Sequence, residues 1–253
     1  MTTSLLELQN HLDLLLEPDR FNDYCPNGLQ VEGKSRISRL VTGVTASQAL
    51  VDQAVAWGAD AILVHHGYFW NGENQVIVGM KRRRVKALLT ADVSLLAYHL
   101  PLDAHPELGN NACLGRLMGL EEALPLEPDV IGGLGCIGTL PSALPARLLI
   151  ERIAQFTRRQ PLHIGDGESP VQKVAWCTGA AQNYLEAAVA AGADIFVTGE
   201  ISEQSVHIAR EEGVHFVSAG HHATERYGVQ AVGAHLAEKF GIEHHFIDID
   251  NPV

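Results

Sequence analysis

Ala61-Ile62-Leu63-Val64-His65-His66-Gly67 reads as a buried strand that stops on two histidines and a glycine. Successive side chains on a strand point to opposite faces, so the adjacent histidines suit two different cations better than one. A hydrogen-bonded histidine pair closing a strand end is the bland alternative, and the dipeptide alone does not decide between them. Upstream, Leu40 to Val44 reads as a strand and Ser47 to Trp57 as a helix, with Thr45 and Gln48 at capping-box spacing. Together with Ala61 to Val64 this makes a βαβ unit, whose two strands must run parallel.

The unit recurs. Leu40-Val41-Thr42-Gly43-Val44 aligns without gaps with Val174-Ala175-Trp176-Cys177-Thr178, Gln48 with Gln182, and Gly58 to Val64 with Gly192 to Thr198. Further on, Val93 to Tyr98 runs into His99 with Asp103 four residues later, while His215 to Gly220 runs into His221 with Glu225 four later. The expected fold is therefore α/β, built as two related α/β lobes about a pseudo-twofold axis, with Val93–Tyr98 and Val214–Ala219 as equivalent strands. The first lobe spans residues 1–125, and the second spans 126–253 and opens with a small βαβ elaboration, strand-like at Gly135 to Leu140 and helical from Leu144 to Arg158. The site is expected in the cleft between the lobes. Leu5, Leu8, Leu12, Leu15 and Leu16 predict an amphipathic helix from Ser4 to Leu16 that Pro18 ends, and Ala223 to Phe240 reads as a closing helix.

Composition narrows the function. The 253 residues, 46% of them hydrophobic, are ample for a globular core, and a net charge of −12 disfavours nucleic acid and anionic membranes as partners. Cys25, Cys113, Cys136 and Cys177 lie far apart with no zinc-ribbon spacing and read as reduced thiols. Without a basic leader or an apolar run of about 18 residues, the expected location is the cytoplasm.

The histidines and carboxylates at strand ends are His65, His66, His99, Asp103, His105, His221, His222 and Glu225. Ligands of open α/β sheets bind beyond the carboxyl ends of strands, where all of these fall. Imidazoles mixed with carboxylates suit zinc, iron, manganese or nickel without discriminating among them. Five or more ligands from such a set exceed what a tetrahedral zinc that keeps a water takes, and suit two cations bridged by one carboxylate.

Arg39-Leu-Val-Thr-Gly-Val-Thr-Ala-Ser, Val64-His-His-Gly, His99-Leu-Pro-Leu-Asp-Ala-His, Thr198-Gly-Glu and Gly220-His-His-Ala-Thr-Glu closely resemble the NIF-three-like family, also catalogued as GTP cyclohydrolase 1 type 2, and most of all its bacterial YbgI-type branch. The resemblance covers essentially the whole chain. It implies a dinuclear metal centre on His65, His66, Asp103, His221 and Glu225, with the glutamate bridging, and a ring-shaped homohexamer whose sites face an inner cavity. The large middle domain of some members is absent. Of the two C-terminal histidines, His221 sits four before Glu225 and matches His99, so it is preferred to His222 as the ligand.

The remaining candidates stay open in sequence. His99 is expected behind a ligand or against substrate, and His222 and His105 in solvent or behind a ligand. Glu200, which stands where the first half has His66, is either a carboxylate orienting a ligand or a strand-end charge. Lys81-Arg82-Arg83-Arg84 is either a solvated helix face or a phosphate-gripping rim, and Tyr68, Phe69 and Trp70 either stack on a ring or pack. No serine or cysteine nucleophile with a paired histidine is evident, so a water acidified by the two cations is the expected attacking group. The leading function is a metal-dependent hydrolase of a small phosphorylated or nucleotide-like molecule, and the alternative is a non-enzymatic metal-binding, storage or scaffold protein.

Overall fold

The computed structural model describes residues 1–127 and 133–253. The chain forms two compact units, Met1–Leu102 with Gly228–Asp250, and Asp103–Tyr227 with Asn251–Val253.

The first unit is built on a five-stranded sheet in the order Glu243–Phe246, Arg39–Thr45, Ala61–His66, Ser94–Ala97, Gly28–Val31. The first four strands are parallel and Gly28–Val31 closes the edge antiparallel. The apolar run of Ala61 to Val64 is continuous because the strand is central and covered on both faces. Ile62 and Val64 pack with Leu50, Val51 and Ala54 of the Gln48–Trp57 helix and Leu88 of the Gly79–Ala91 helix. Ser47, not Thr45, caps the first of these helices, its hydroxyl accepting from the Leu50 N–H. The opening helix, Leu5–Leu16, starts on a Ser4–Glu7 capping box and buries Leu5, Leu8, Leu12 and Leu16.

In the second unit a six-stranded sheet runs Glu121–Pro125, Cys136–Pro145, Pro170–Trp176, Ile195–Thr198, His215–Ser218, Leu162–Ile164. Its inner strands Pro170–Trp176, Ile195–Thr198 and His215–Ser218 are parallel. The Cys136–Pro145 and Leu162–Ile164 strands do not form a βαβ unit of their own: they join this sheet antiparallel on opposite sides of the parallel trio. The Ala146–Thr157 helix between them buries Leu149, Ile150 and Ile153 with Val174, Trp176 and Val197.

These units differ in bounds from a single cut after residue 125. Glu243–Phe246 pairs with Arg39–Thr45 and so returns to the first sheet, while Leu114 and Met118 of the Asn110–Met118 helix pack with Trp176 and Ile153 of the second unit. The closing helix is also broken. His221–Thr224 forms a short helix, Glu225 sits at the break, and Arg226–Phe240 follows with Val229, Val232 and Leu236 buried. No helix of the described residues is long and apolar enough to cross a membrane.

Candidate metal centre

In the first unit the strand neighbours on either side of Ala61–His66 each anchor one histidine. The His65 ring is fully buried and its Nδ1–H donates to the Tyr98 carbonyl (3.1 Å), at the end of one neighbour. The His66 Nδ1 shares a hydrogen bond of 3.1 Å with the Thr45 hydroxyl, at the end of the other. That is where the Thr45 side chain goes instead of capping a helix. The two rings lie 4.5 Å apart between centroids.

His99 joins them. Its Nδ1–H donates to Asp23 Oδ1 (2.7 Å) and its backbone N–H to Asn27 Oδ1 (2.7 Å), while Asp23 also accepts from Asn27 Nδ2 and the Leu100 N–H (2.9 Å each). Burial opposes the charge on Asp23, but the hydrogen bonds from His99, Asn27 and Leu100 outweigh it and hold the carboxyl below its usual range. One ligand atom from each of His65, His66 and His99 falls within 4.8 Å of the others. Asp23 has no motif signal of its own, since it stands outside every strand-end histidine pattern in the sequence.

The segment after the pair sorts the aromatic and basic candidates. Tyr68 is buried in the core of the first unit, its N–H donating to Gln30 Oε1 (2.6 Å), and burial pushes its phenol up to about 12. Phe69 adopts a left-handed backbone, φ 65°, which turns the chain so that the Trp70 ring sits 5.0 Å from His99, edge-on, and 5.9 Å from His66. Lys81 pins this segment rather than gripping a ligand: it is buried, and Nζ donates to the Asn74 carbonyl (2.7 Å) and pairs with Glu73 (3.1 Å), whose other oxygen accepts from the Trp70 N–H (3.3 Å). Arg82 is exposed on the helix surface.

The second unit contributes carboxylates and one more imidazole. Asp103 is buried, with Oδ1 accepting from Asn110 Nδ2 (2.9 Å) and the Thr178 hydroxyl (3.2 Å). His221 stands between two glutamates, Nδ1–H donating to Glu200 Oε1 (2.7 Å) and Nε2 lying 3.1 Å from Glu225 Oε2. Glu200 is thus an orienting carboxylate and not a bare strand-end charge. Burial of the His221 ring opposes its charge, but the hydrogen bonds and negative charges of Glu225 and Glu200 prevail and raise its pKa to about 9. His222 is buried, and its backbone N–H donates to the Val253 carbonyl (3.0 Å). His105 caps a turn, its Nδ1 accepting from the Glu107 and Leu108 N–H groups.

Four imidazoles therefore share one arrangement: Nδ1 is tied to the protein, by Tyr98 O, Thr45 Oγ1, Asp23 and Glu200, and Nε2 is the atom each presents. This is how metal-ligating histidines are held, with the outer hydrogen bond fixing tautomer and ring orientation. The donor set fits divalent cations of the zinc, iron, manganese or nickel kind.

The family model described as Duf34/NIF3 (NGG1p interacting factor 3) matches residues 3–252. The chain belongs to this family. It is 53% identical over 252 residues to the GTP cyclohydrolase 1 type 2 homolog of Pseudomonas aeruginosa, covering 100% of both chains. Against the homolog of Escherichia coli K12 it is 51% identical over 247 residues, 97% of this chain and 98% of that one. Among solved structures it resembles the protein ybgI, of unknown function, with TM-score 0.94 at 50% identity, covering 99% of this chain and 100% of that one. TTHA1606 from Thermus thermophilus gives TM-score 0.89 at 36% identity with the same coverage.

In this Duf34/NIF3 chain one glycine is required beside His221 and Glu225. Gly179 has φ 71°, its N–H donates to Thr224 Oγ1 (3.0 Å), and a Cβ there would collide with Glu225 Oε1 and come within 3.3 Å of His221 Nε2. Gly179→Ala is expected to lose about 1–3 kcal/mol through the left-handed backbone and to lower metal content by displacing the Glu225 carboxylate. Denaturant unfolding and elemental analysis check it; a variant unchanged in both measurements would contradict the assignment.

Proposed function

We propose that this protein holds two divalent cations on His65, His66, Asp103, His221 and Glu225, with Glu225 bridging, and hydrolyses a small phosphorylated or nucleotide-like molecule. The observation that carries the reading is the shared anchoring of the histidines through Nδ1, together with the Asp103 carboxylate held by Asn110 and Thr178 and the room that Gly179 leaves for Glu225. The ligands come from both units, and the parallel trios of the two sheets share a register, Leu40 beside Ala61 and Val174 beside Ile195, which supports reading them as related copies. By the same register Ser94 lies beside Ala61 and His215 beside Ile195, so the third strands align Val93 with Val214, and His99 with Gly220 rather than His221. His221 therefore rests on its contacts with Glu200 and Glu225, not on a match to His99.

When bound, such cations supply Lewis acidity and lower the pKa of a water from about 15.7 toward 7. The chain's residues supply the rest. Asp23 fixes His99 beside the histidine pair, and Trp70 offers a ring edge and face next to it for a flat substrate group. The thiols do not compete as nucleophiles: burial pushes Cys25 to about 12 and Cys136 to about 11, and raises Cys113 and Cys177 as well. The name carried by the relatives, GTP cyclohydrolase 1 type 2 homolog, supports the nucleotide-like substrate class. Four free cysteines suit a reducing compartment, which supports the cytoplasm, and the family resemblance supports a homohexameric ring.

Metal-loaded protein screened against nucleotides, phosphodiesters, phosphomonoesters and cyclic amides is expected to turn over one class, and Asp103→Ala to lose at least about 100-fold of it. Activity surviving in Asp103→Ala would identify a contaminant. No turnover anywhere in the panel at two cations per chain would move the function to metal storage or delivery.

A further inference from the structure

The chain holds two Asn-Gly dipeptides, Asn27-Gly28 and Asn71-Gly72. An asparagine ahead of glycine is open to attack by its own backbone, because no Cβ shields the following nitrogen and glycine readily adopts the conformations that bring that nitrogen to the side-chain carbon. The fold treats the two differently. The Asn27 amide is held at both ends, Nδ2 donating to Asp23 Oδ2 (2.9 Å) and Oδ1 accepting from the His99 N–H (2.7 Å), and Gly28 is buried in its strand beside Ala97. Asn71 and Gly72 instead fill the central positions of an exposed turn, closed by the Glu73 N–H donating to the Trp70 carbonyl (2.9 Å), with Gly72 at φ 82°. No atom lies within 4 Å of where a Cβ on Gly72 would stand. Among the described residues the Gly72 N–H donates to nothing, and the Asn71 amide makes one long hydrogen bond, Nδ2 to the Asp23 carbonyl (3.3 Å).

We propose that Asn71 is a site of spontaneous deamidation, and that its product loosens the turn that carries Trp70. The deprotonated Gly72 nitrogen attacks Asn71 Cγ, the Cγ–Nδ2 bond breaks, and Nδ2 leaves as ammonia, closing a five-membered succinimide. Water then opens one of the two ring carbonyls, giving either an ordinary aspartate or an isoaspartate whose main chain runs through Cβ. One water is consumed and one ammonia released. Neither product suits the place. The aspartate loses the donor to the Asp23 carbonyl and sets a carboxylate oxygen against that carbonyl oxygen. The isoaspartate also inserts a methylene into the turn whose Asn71 N–H donates to the Tyr24 carbonyl (2.6 Å). These contacts clip the turn to the segment from which Asp23 holds His99. Without them the Trp70 ring, 5.0 Å from His99, is left with its own hydrogen bond from Nε1 to the Gly67 carbonyl (3.2 Å) and the Glu73 contacts within the turn.

Full-length protein aged at mildly alkaline pH, where more of the Gly72 nitrogen is deprotonated, tests this by peptide mass spectrometry. The peptide containing Asn71 is expected to gain about 1 Da, with isoaspartate among the products. Asn27 is expected to convert at least about tenfold more slowly, since freeing its amide breaks two hydrogen bonds. In urea, where the fold no longer distinguishes them, the two should convert at comparable rates, and Gly72→Ala should slow Asn71 there by shielding the attacking nitrogen. Asn71→Asp supplies the aspartate product directly and is expected to raise the acrylamide quenching of Trp70 emission, read as the difference from the same protein carrying Trp70→Phe. An Asn71 that stays intact in the folded protein while converting in urea would overturn the site, as would an Asn27 that converts as fast as Asn71 in the folded state. Wild-type quenching in Asn71→Asp would overturn the loosening of the turn.

Discussion

Glu225→Ala is expected to leave the purified protein with fewer than one divalent cation per chain, against close to two in wild type, and to abolish any turnover. Glu225 is almost fully buried, touches His221 Nε2 at 3.1 Å, and is the carboxylate assigned to bridge, so its loss affects both cations while removal of His65 or His66 affects one directly. The stability consequence follows from linkage. A ligand at about 100 times its dissociation constant stabilises the folded state by ~2.7 kcal/mol, which for a chain of this size amounts to a melting-temperature difference of roughly 5–10 °C. Metal-supplemented wild type should therefore melt well above metal-supplemented Glu225→Ala, and the gap should close when both are stripped with chelator. Elemental analysis returning two cations on Glu225→Ala would remove this residue from the centre.

Uptake of metal is expected to release a proton from His221 at neutral pH. Its pKa of about 9, set by Glu225 and Glu200 against the opposing effect of burial, means that the metal-free ring is charged at pH 7, so a cation arriving at Nε2 must displace that proton. Apparent affinity should rise with pH up to about 9, by as much as about tenfold per unit, and level off above it. The metal-free protein should show the opposite trend in stability. A histidine whose folded pKa exceeds its unfolded value of 6.5 contributes stability that is fully present below 6.5 and is lost as pH rises through about 9, at most roughly 3 kcal/mol here. Calorimetric titration in two buffers of different ionisation enthalpy reads the proton count directly, and Glu200→Gln should reduce it by lowering the ring's pKa. A heat of binding independent of buffer would rule out the charged ring.

Much of the candidate site is legible in the sequence. Strand signals that end on histidine, a second copy of the same pattern, and carboxylates at fixed spacing follow from alternation and hydrophobic run length, which are properties of neighbouring residues. They yield eight candidate residues and the two βαβ units, while the narrowing to five comes only from the motifs' resemblance to a family. The tertiary structure decided what holds those side chains in place. His99 and Asp23 lie 76 positions apart and meet only because Gly28–Val31 pairs with Ser94–Ala97, which brings the turn before the one strand to the end of the other. The Thr45 hydroxyl turns to His66 because their strands are adjacent in register, although Thr45 sits at capping-box spacing in the sequence. Lys81 is drawn from a basic run into Glu73 and Asn74, and Trp70 is aimed at His66 and His99 by one left-handed residue. The unit bounds changed for the same reason, since Glu243–Phe246 finds its partner at Arg39–Thr45. Which residue types can ligate is local chemistry and is written in the sequence; which donor or acceptor sits behind each ligand depends on strand order and register, and those are fixed only when distant segments share a core.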